Sequence, residues 1–145
     1  MSIKLKIIRL DKTMPLPSYA HVGDAAFDLY ASKEITLKPG ERASVPTGLT
    51  MEIPQGFAGF VWKKSGLSHK HNVNAISGVI DSGYRGEVFV NMVNNGIEPY
   101  TFEKNHKIAQ MVIQKCEDIE IVEVGGISDL SDSARGDGGF GSSGK

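Results

Sequence analysis

The sequence predicts an all-β protein with a jelly-roll-like barrel or sandwich, and three observations support this prediction. Apolar residues alternate with polar ones far more often than they recur at the helical period of about 3.6 residues. The alternating runs are short and are separated by turn-forming combinations at 39–40, 54–56 and 94–96. The 145 residues suffice for one core. Many short strands with regular turns are typical of sandwiches and barrels.

The predicted elements follow from this pattern in chain order. Ile3, Leu5 and Ile7 alternate with lysines and begin the first strand. Runs rich in β-branched and aromatic residues predict further strands at 34–37, 47–53, 56–62, 86–93, 107–114 and 119–124. Only Ser65–His71 is suited to a short helical turn.

Composition changes once along the chain, after Val124, where large apolar residues become scarce. We therefore expect a β core domain over 1–124 and a mobile C-terminal arm over 125–145. Composition alone favours an unstructured Gly/Ser tail or a cloning scar. However, Arg135 can fork onto phosphate oxygens, Phe140 can stack on a ring, and Ser142 and Ser143 add hydroxyl donors. Such an arm is suited to close over a phosphorylated, ring-bearing ligand.

Charge and cysteine content limit the function classes. The formal net charge of −1 argues against non-specific binding to nucleic acid or to anionic membranes. No apolar run approaches membrane-spanning length, and the N-terminus lacks the apolar stretch of a signal peptide. The single cysteine, Cys116, excludes an intrachain disulfide. We expect a soluble intracellular protein, cytoplasmic or, in a eukaryotic host, in an organelle or the nucleus.

The segment 78–87 carries the clearest chemical signal. An apolar run ends at Asp81, and Tyr84 follows between two glycines. A carboxylate at a strand end can orient a water beside a ring-shaped substrate. The alternative is ordinary turn chemistry for Asp81 and a tyrosine packed at a sheet edge.

Five segments together carry a family resemblance. They are AAFDLYA at 25–31, KSGL at 64–67, GVIDSGYRG at 78–86, KIAQ at 107–110 and RGDGGFGSSG at 135–144. In content and order they resemble the trimeric dUTPases, deoxyuridine 5′-triphosphate nucleotidohydrolases. The resemblance implies hydrolysis of dUTP to dUMP and pyrophosphate by water attack on the α-phosphorus. It also implies Mg²⁺ on the triphosphate, and a homotrimer whose active sites are shared between chains.

The resemblance implies a role for each matching residue. Asp81 is the catalytic carboxylate that activates water, and Tyr84 packs against the deoxyribose. The uracil-binding hairpin supplies Asn74, Ile76, Gly78, Val79 and Ile80. Phosphate contacts come from Lys64, Ser65, Gly66, Gln110 and Arg135, with Phe140, Gly141, Ser142 and Ser143 of the arm. Asp28 reaches Mg²⁺ through water. Without the resemblance, Ser65 would cap the helical turn, and Gln110 and Asp28 would be solvated strand residues.

The chain departs from the family pattern at two basic positions. Lys63-Lys64-Ser65 replaces the usual Pro-Arg-Ser, and Asn105-His106-Lys107 replaces Gly-Asp-Arg. Lysine keeps the charge but lacks the guanidinium fork, so the phosphate contact of Lys64 is an open question.

Other functions remain as alternatives at this stage. The related dCTP deaminases need a glutamate on the strand after the Asp81 turn, where this chain has Asn91, with Glu87 nearby. A regulatory binding protein would use the same scaffold to grip a partner. A structural or carbohydrate-binding jelly roll would leave the arm without a purpose. The four histidines suggest a metal site, but His69 and His71 have no Cys or carboxylate cluster nearby, as a structural zinc site would need.

Overall fold

The protein folds into two antiparallel four-stranded sheets that enclose one apolar core, as described by a computed structural model over residues 3–139. The strands are β1 (Lys6–Arg9), β2 (Phe27–Tyr30), β3 (Ile35–Leu37), β4 (Arg42–Glu52), β5 (Phe57–Trp62), β6 (Val73–Ala75), β7 (Val79–Ile80), β8 (Glu87–Asn94), β9 (Tyr100–Phe102) and β10 (Lys107–Lys115). Helix α1 spans Ser65–His71, and a short 3₁₀ helix spans Ile127–Asp129. The predicted all-β class and the helical turn at Ser65–His71 are confirmed, and the 3₁₀ helix was not predicted.

The sheet orders are β1-β4-β8-β6 and β2-β10-β5-β7, with β3 and β9 forming a separate pair. Strand β8 shows how alternation builds the core: Val88, Val90 and Met92 are fully buried, while Phe89 between them is exposed. Facing side chains of the second sheet, such as Leu29 and Met111, complete the same cluster. Burial of each such side chain contributes about 1.5–3 kcal/mol. Two sheets with one shared core are the layered architecture that the sequence predicts.

Strand β4 begins earlier than predicted, at Arg42, and it carries a β-bulge. Its register against β8 shifts between Pro46 and Thr50. Proline has no N–H for the ladder, so it is tolerated beside such an irregularity. The hydroxyl of Thr47 donates to the carbonyl of Val88 at 2.6 Å, and the N–H of Gly48 donates to the Glu87 carboxylate at 2.9 Å. These bonds satisfy the backbone where the regular ladder is interrupted.

The predicted strand at 119–124 is wrong, because these residues form no strand within the chain. Ile119 and Ile121 alternate with acidic residues, yet they are 78% and 90% exposed. A strand requires a neighbouring edge that accepts its hydrogen bonds. Among residues 3–139, nothing pairs with this segment, and the 3₁₀ helix is the only regular element after β10.

Replacing Gly48 with alanine tests the packing at the bulge. Gly48 has φ = +68°, and an added Cβ would lie 3.1 Å from the Ser32 Cβ and 3.3 Å from the Met14 Cγ. We expect Gly48→Ala to lower the free energy of unfolding by about 2–3 kcal/mol in urea titrations. Gly40→Ala is the matched control, because φ is +83° there and a Cβ meets nothing within 4 Å. Its loss should be about 1 kcal/mol; equal losses at the two positions would contradict the packing argument.

Candidate active site

Three side chains of a polar cleft belong to residues that pair with one another across three neighbouring strands. Strand β10 runs between β2 and β5, and Gln110 is paired with Asp28 on one side and with Trp62 on the other. Directly opposed residues of antiparallel strands project from the same face of the sheet. The Gln110 side-chain amide also donates to the carbonyl of Lys63 at 3.0 Å. This bond ties β10 to the chain that enters helix α1, so Gln110 is not simply solvated.

Asp28 is a buried carboxylate held by two lysines. Its side chain is only 7% exposed, and the ammonium of Lys107 lies 2.7 Å from its Oδ2. The ammonium of Lys64 donates to its Oδ1. Burial alone would raise the pKa of Asp28, but the hydrogen bonds and charges of Lys107 and Lys64 outweigh burial and lower it. The expectation of a solvated strand position at Asp28 is therefore wrong.

The cleft beside this carboxylate has a volume of about 370 Å³. Asp28, Lys64, Lys107, Gln110 and Trp62 line it, together with the small residues Ala25 and Ala26. Ammonium and amide N–H groups are donors suited to phosphate oxygens. The cleft can therefore accept an anionic group.

Ser65 and Gly66 begin helix α1 next to this cleft, and both are exposed. The N-cap of the helix is Lys64, and no side chain caps the helix. The alternative role of Ser65 as a helix cap is therefore wrong.

The predicted catalytic hairpin forms a second group of residues. Asp81 is exposed and follows β7, and its carbonyl accepts the N–H of Tyr84 at 3.1 Å. The Tyr84 hydroxyl donates to the carbonyl of Glu87 at 2.8 Å. An added Cβ on Gly86 would lie 2.4 Å from that hydroxyl oxygen, so the ring covers this glycine. The turn thus fixes an aromatic ring three residues after a solvent-facing carboxylate.

The preceding hairpin presents backbone and apolar surface. Ile76 and Val79 are 50% and 56% exposed, and Gly78 lies beside Trp62 in a pocket of about 350 Å³. The Asn74 amide nitrogen donates to the Asn72 side chain, whereas its buried Oδ1 has no partner among residues 3–139. A buried unpaired acceptor favours a ligand that brings a donor.

One chain does not bring the two groups together. Ile80 is paired with Gly59, and Gly59 with Ile113, three residues from Gln110 along β10. This offset is three residues along the strand direction and two strand spacings across the sheet, which places the Cα of Ile80 about 14 Å from that of Gln110. Asp81 lies further away.

Of the predicted contacts of the arm, only Arg135 lies within the residues that the structure describes. Arg135 is exposed and its Nε donates to the carbonyl of Gly138 at 2.8 Å, within its own turn. The predicted contacts at Phe140, Gly141, Ser142 and Ser143 lie outside the described residues.

Sequence reasoning assigned no role to Lys107, which the structure places against Asp28. The sequence could have indicated this role, because Lys107 is the first residue of the KIAQ segment, one of the five segments that carry the resemblance. The two positions considered for deaminase chemistry serve the fold instead. Glu87 accepts the Gly48 N–H, and Asn91 accepts the Ser44 hydroxyl at 2.6 Å. Within residues 3–139 no three His, Cys, Asp or Glu side chains cluster as metal ligands, and no helix has the length and apolarity to cross a bilayer.

A cationic cleft and a separate carboxylate-bearing hairpin define an all-β protein with a candidate anion-binding site. The family model for dUTPase matches residues 12–144. The chain therefore belongs to the dUTPase family.

Known proteins of this family resemble the chain over almost its whole length. The "Deoxyuridine 5'-triphosphate nucleotidohydrolase" of Mycolicibacterium gilvum is 44% identical, with 99% of this chain and 97% of that protein aligned. The protein of the same name from Thermobifida fusca is also 44% identical, over 99% and 80% of the two chains.

Solved dUTPase structures share the fold. A variant of the dUTPase of Staphylococcus bacteriophage 80alpha, bound to dUpNHpp, superposes with a TM-score of 0.90 at 28% identity, covering 98% of this chain and 99% of that one. A variant of the dUTPase from phage phi11 of S. aureus has a TM-score of 0.80 at 25% identity, covering 86% and 99%, and its structure is described as showing the coordination of a structural Mg(II) ion.

The ion pairs of Asp28 predict a pH dependence of stability. Because its folded pKa lies below the unfolded value of 3.8, its contribution is present above that pH and is lost as the pH falls through the folded value. Lys107 has a raised pKa through its hydrogen bond to Asp28, so its contribution is lost only as the pH rises above 10.5. We expect the free energy of unfolding to fall more steeply from about pH 5 to 2 in the wild type than in Asp28→Asn. Parallel curves in urea titrations would contradict this assignment.

Proposed function

We propose that this chain hydrolyses dUTP to dUMP and pyrophosphate by water attack on the α-phosphorus. The observation that carries the proposal is the 78–86 hairpin, where Asp81 faces solvent beside a tyrosine ring fixed over Gly86. Membership of the dUTPase family supplies the substrate. The reaction limits uracil incorporation into DNA and provides dUMP for thymidylate synthesis, and we assign it to the cytoplasm or another intracellular compartment.

Asp81 acts as the general base. Its carboxylate accepts no hydrogen bond from the described residues, so its lone pairs are available to a water molecule. It takes the proton of that water as the water attacks phosphorus, and the P–O bond to the leaving pyrophosphate breaks in line. The Tyr84 ring packs on the deoxyribose and leaves no room for a 2′-hydroxyl.

Uracil binds at the hairpin and the phosphates bind in the cleft. Small residues such as Gly78 let backbone groups approach the base edge, in the segment that also holds Asn74, Ile76, Val79 and Ile80. Lys64, Ser65, Gly66 and Gln110 donate to phosphate oxygens. The arm, 125–145, closes over the ligand with Arg135, Phe140, Gly141, Ser142 and Ser143.

The chemistry of the cleft fits a Mg²⁺ ion that arrives on the substrate. The described residues offer no cage of ligands for an ion held by protein alone, and Mg²⁺ commonly keeps waters and substrate phosphates as ligands. Asp28 uses one acceptor site on each oxygen for its lysines, and a carboxylate has about four such sites. It can therefore hold metal-bound waters as well. Bound Mg²⁺ would neutralise charge on the phosphates.

A homotrimer with shared active sites is our proposal for the assembly. Within one chain Asp81 lies more than about 14 Å from Gln110, so the hairpin and the cleft of one chain do not form one compact site. Ile119 and Ile121, on the segment after β10, expose apolar side chains that a neighbouring chain can cover. The threefold symmetry itself comes from the family resemblance.

Asp81→Asn is the direct test of the catalytic assignment. We expect kcat for dUTP to fall by about 10²–10⁴-fold while KM changes by less than about threefold, because the amide cannot take a proton. Thermal stability should be unchanged, since Asp81 is exposed. Asp118→Asn, at an exposed position after β10, is the matched control with normal turnover.

Pyrophosphate and ammonia are measured with each deoxynucleoside triphosphate and Mg²⁺. Undiminished hydrolysis by Asp81→Asn would overturn the catalytic role. Ammonia from dCTP would instead identify a deaminase. Absence of any pyrophosphate from the wild type would favour a regulatory binding protein.

Mixed assemblies test whether the site is shared. Asp81→Asn and Gln110→Ala chains, each nearly inactive alone, are co-expressed with different tags and the mixed species purified. In a mixed trimer one site combines the intact Asp81 of one chain with the intact Gln110 of another, so we expect partial recovery of turnover. Mixed species as inactive as the parents would show that each site belongs to one chain.

A further inference from the structure

One backbone hydrogen bond that the ladder between β6 and β8 predicts is not made. Ala75 pairs with Met92, and the same register places Ile76 opposite Asn91. The Ile76 N–H donates to the Asn91 carbonyl at 2.8 Å, so this is a hydrogen-bonded pair, in which antiparallel residues normally exchange two bonds. The Asn91 N–H instead donates to the Ser77 hydroxyl oxygen at 2.6 Å. Within the part of the chain that the structure describes, no donor bonds the Ile76 carbonyl.

Ser77 lies where the chain leaves one sheet for the other. Its hydroxyl contacts β8 in the first sheet, and the carbonyl of the following residue, Gly78, accepts the Val61 N–H at 3.1 Å in the second sheet. Strand β7 then continues beside β5. Serine side chains can offer the backbone an alternative to its ladder partner. The hydroxyl therefore holds the chain against β8 without using a backbone carbonyl.

Strand β8 is fixed at this point from its other side. Ser44 and Asn91 pair across β4 and β8, and the Ser44 hydroxyl donates to the Asn91 Oδ1 at 2.6 Å. The residues on either side of Asn91 in β8 are fully buried. The Asn91 N–H thus has a set position, and two acceptors compete for it, the Ser77 hydroxyl and the Ile76 carbonyl.

The ladder itself does not need the hydroxyl. In a regular antiparallel ladder the Ile76 carbonyl would accept the Asn91 N–H, and the pair would be complete. The hydroxyl changes the state of that carbonyl, which keeps its acceptor sites unused. Ile76 is 50% exposed and belongs to the segment to which we assign the base. An acceptor that the regular ladder would consume is therefore open to a donor from outside the chain.

We propose that Ser77 is a positioning residue for nucleotide binding. Its hydroxyl takes the Asn91 N–H and thereby keeps the Ile76 carbonyl out of the ladder and available to the ligand. That the ligand is a uracil nucleotide rests on the proposed function. The diverted hydrogen bond itself rests on the register of β6 and β8 and on the crossing between the two sheets.

Calorimetric titration of Ser77→Ala with dUpNHpp, dUMP and inorganic tripolyphosphate tests the proposal. Without the hydroxyl, the Asn91 N–H turns to the Ile76 carbonyl and completes the ladder. We expect dUpNHpp and dUMP to bind about tenfold more weakly, and tripolyphosphate, which has no base, to bind as it does to the wild type. KM for dUTP should rise by a similar factor while kcat stays within about threefold. The melting temperature should not fall, because one hydrogen bond replaces another.

Two further variants are the controls. Ser77→Thr keeps the hydroxyl, so both nucleotides should bind within about twofold of their wild-type affinity. Ser44→Ala also removes a hydroxyl that bonds Asn91, but that bond is to the Asn91 side chain, and the N–H is left as it was. Its affinity for dUMP should equal that of the wild type.

The outcomes separate the alternatives. Wild-type affinity of Ser77→Ala for dUMP would overturn the proposal, and so would an equal loss for dUMP and tripolyphosphate with a lowered melting temperature, which would show a general structural role. Wild-type protein that binds dUpNHpp but does not hydrolyse dUTP would refute the proposed function, while a selective loss of dUpNHpp binding in Ser77→Ala would still support this inference. Wild-type protein that binds neither dUpNHpp nor dUMP would overturn both.

Discussion

The pairing of β10 with its two neighbours is the constraint on which both the core and the cleft depend. One face of β10 places Ala109 and Met111 in the core, while Gln110 joins Asp28 and Trp62 on the other face. Because side chains of a strand alternate between faces, a slip of one residue would expose the apolar set and bury the polar set. The packing energy of the core therefore also fixes the register of the cleft. Strand β10 therefore supplies side chains to both the core and the cleft.

The buried carboxylate of Asp28 is acceptable to the fold only because it is paired on both oxygens. A lone ionised carboxylate in an apolar setting costs several kcal/mol, and proteins avoid it by pairing or by protonation. Lys64 comes from the start of helix α1 and Lys107 from the bulge of β10. The pairing thus links three separate chain segments at the cleft. The pairing mainly fixes the positions of the three side chains, because the net contribution of such ion pairs to the free energy of folding is small.

How far the sequence predicted the structure depends on whether the signal was local. The long strands β5, β8 and β10, helix α1 and the turns near Gly40 and Gly56 were predicted, because alternation and turn residues lie within short windows. Strands β2, β6, β7 and β9 have two to four residues and were not predicted. The equally short β1 was predicted from an alternation that begins before it, at Ile3, and β3 from its run of β-branched residues. The alternation at 119–124 was real, but a strand also needs a partner edge, which sequence patterns do not report.

The site was predicted in the same uneven way. Resemblance to the family named Asp81, Tyr84, Gln110 and Asp28 one by one. It did not show which of them one chain brings together, because proximity depends on sheet order and register. The role of Lys107 was missed because its direction is set by a bulge, and a bulge moves one side chain to the opposite face without an obvious mark in the sequence.

The two lysines that depart from the family pattern, Lys64 and Lys107, contact the same carboxylate. Both stand where that pattern has arginine, and both donate to the same carboxylate. An arginine paired with a carboxylate commonly uses its fork on both oxygens, so two arginines would compete for the acceptor sites of Asp28. Two lysines instead take one oxygen each and keep further N–H donors directed elsewhere. The guanidinium fork is lost, but two point charges are retained at fixed positions in the cleft.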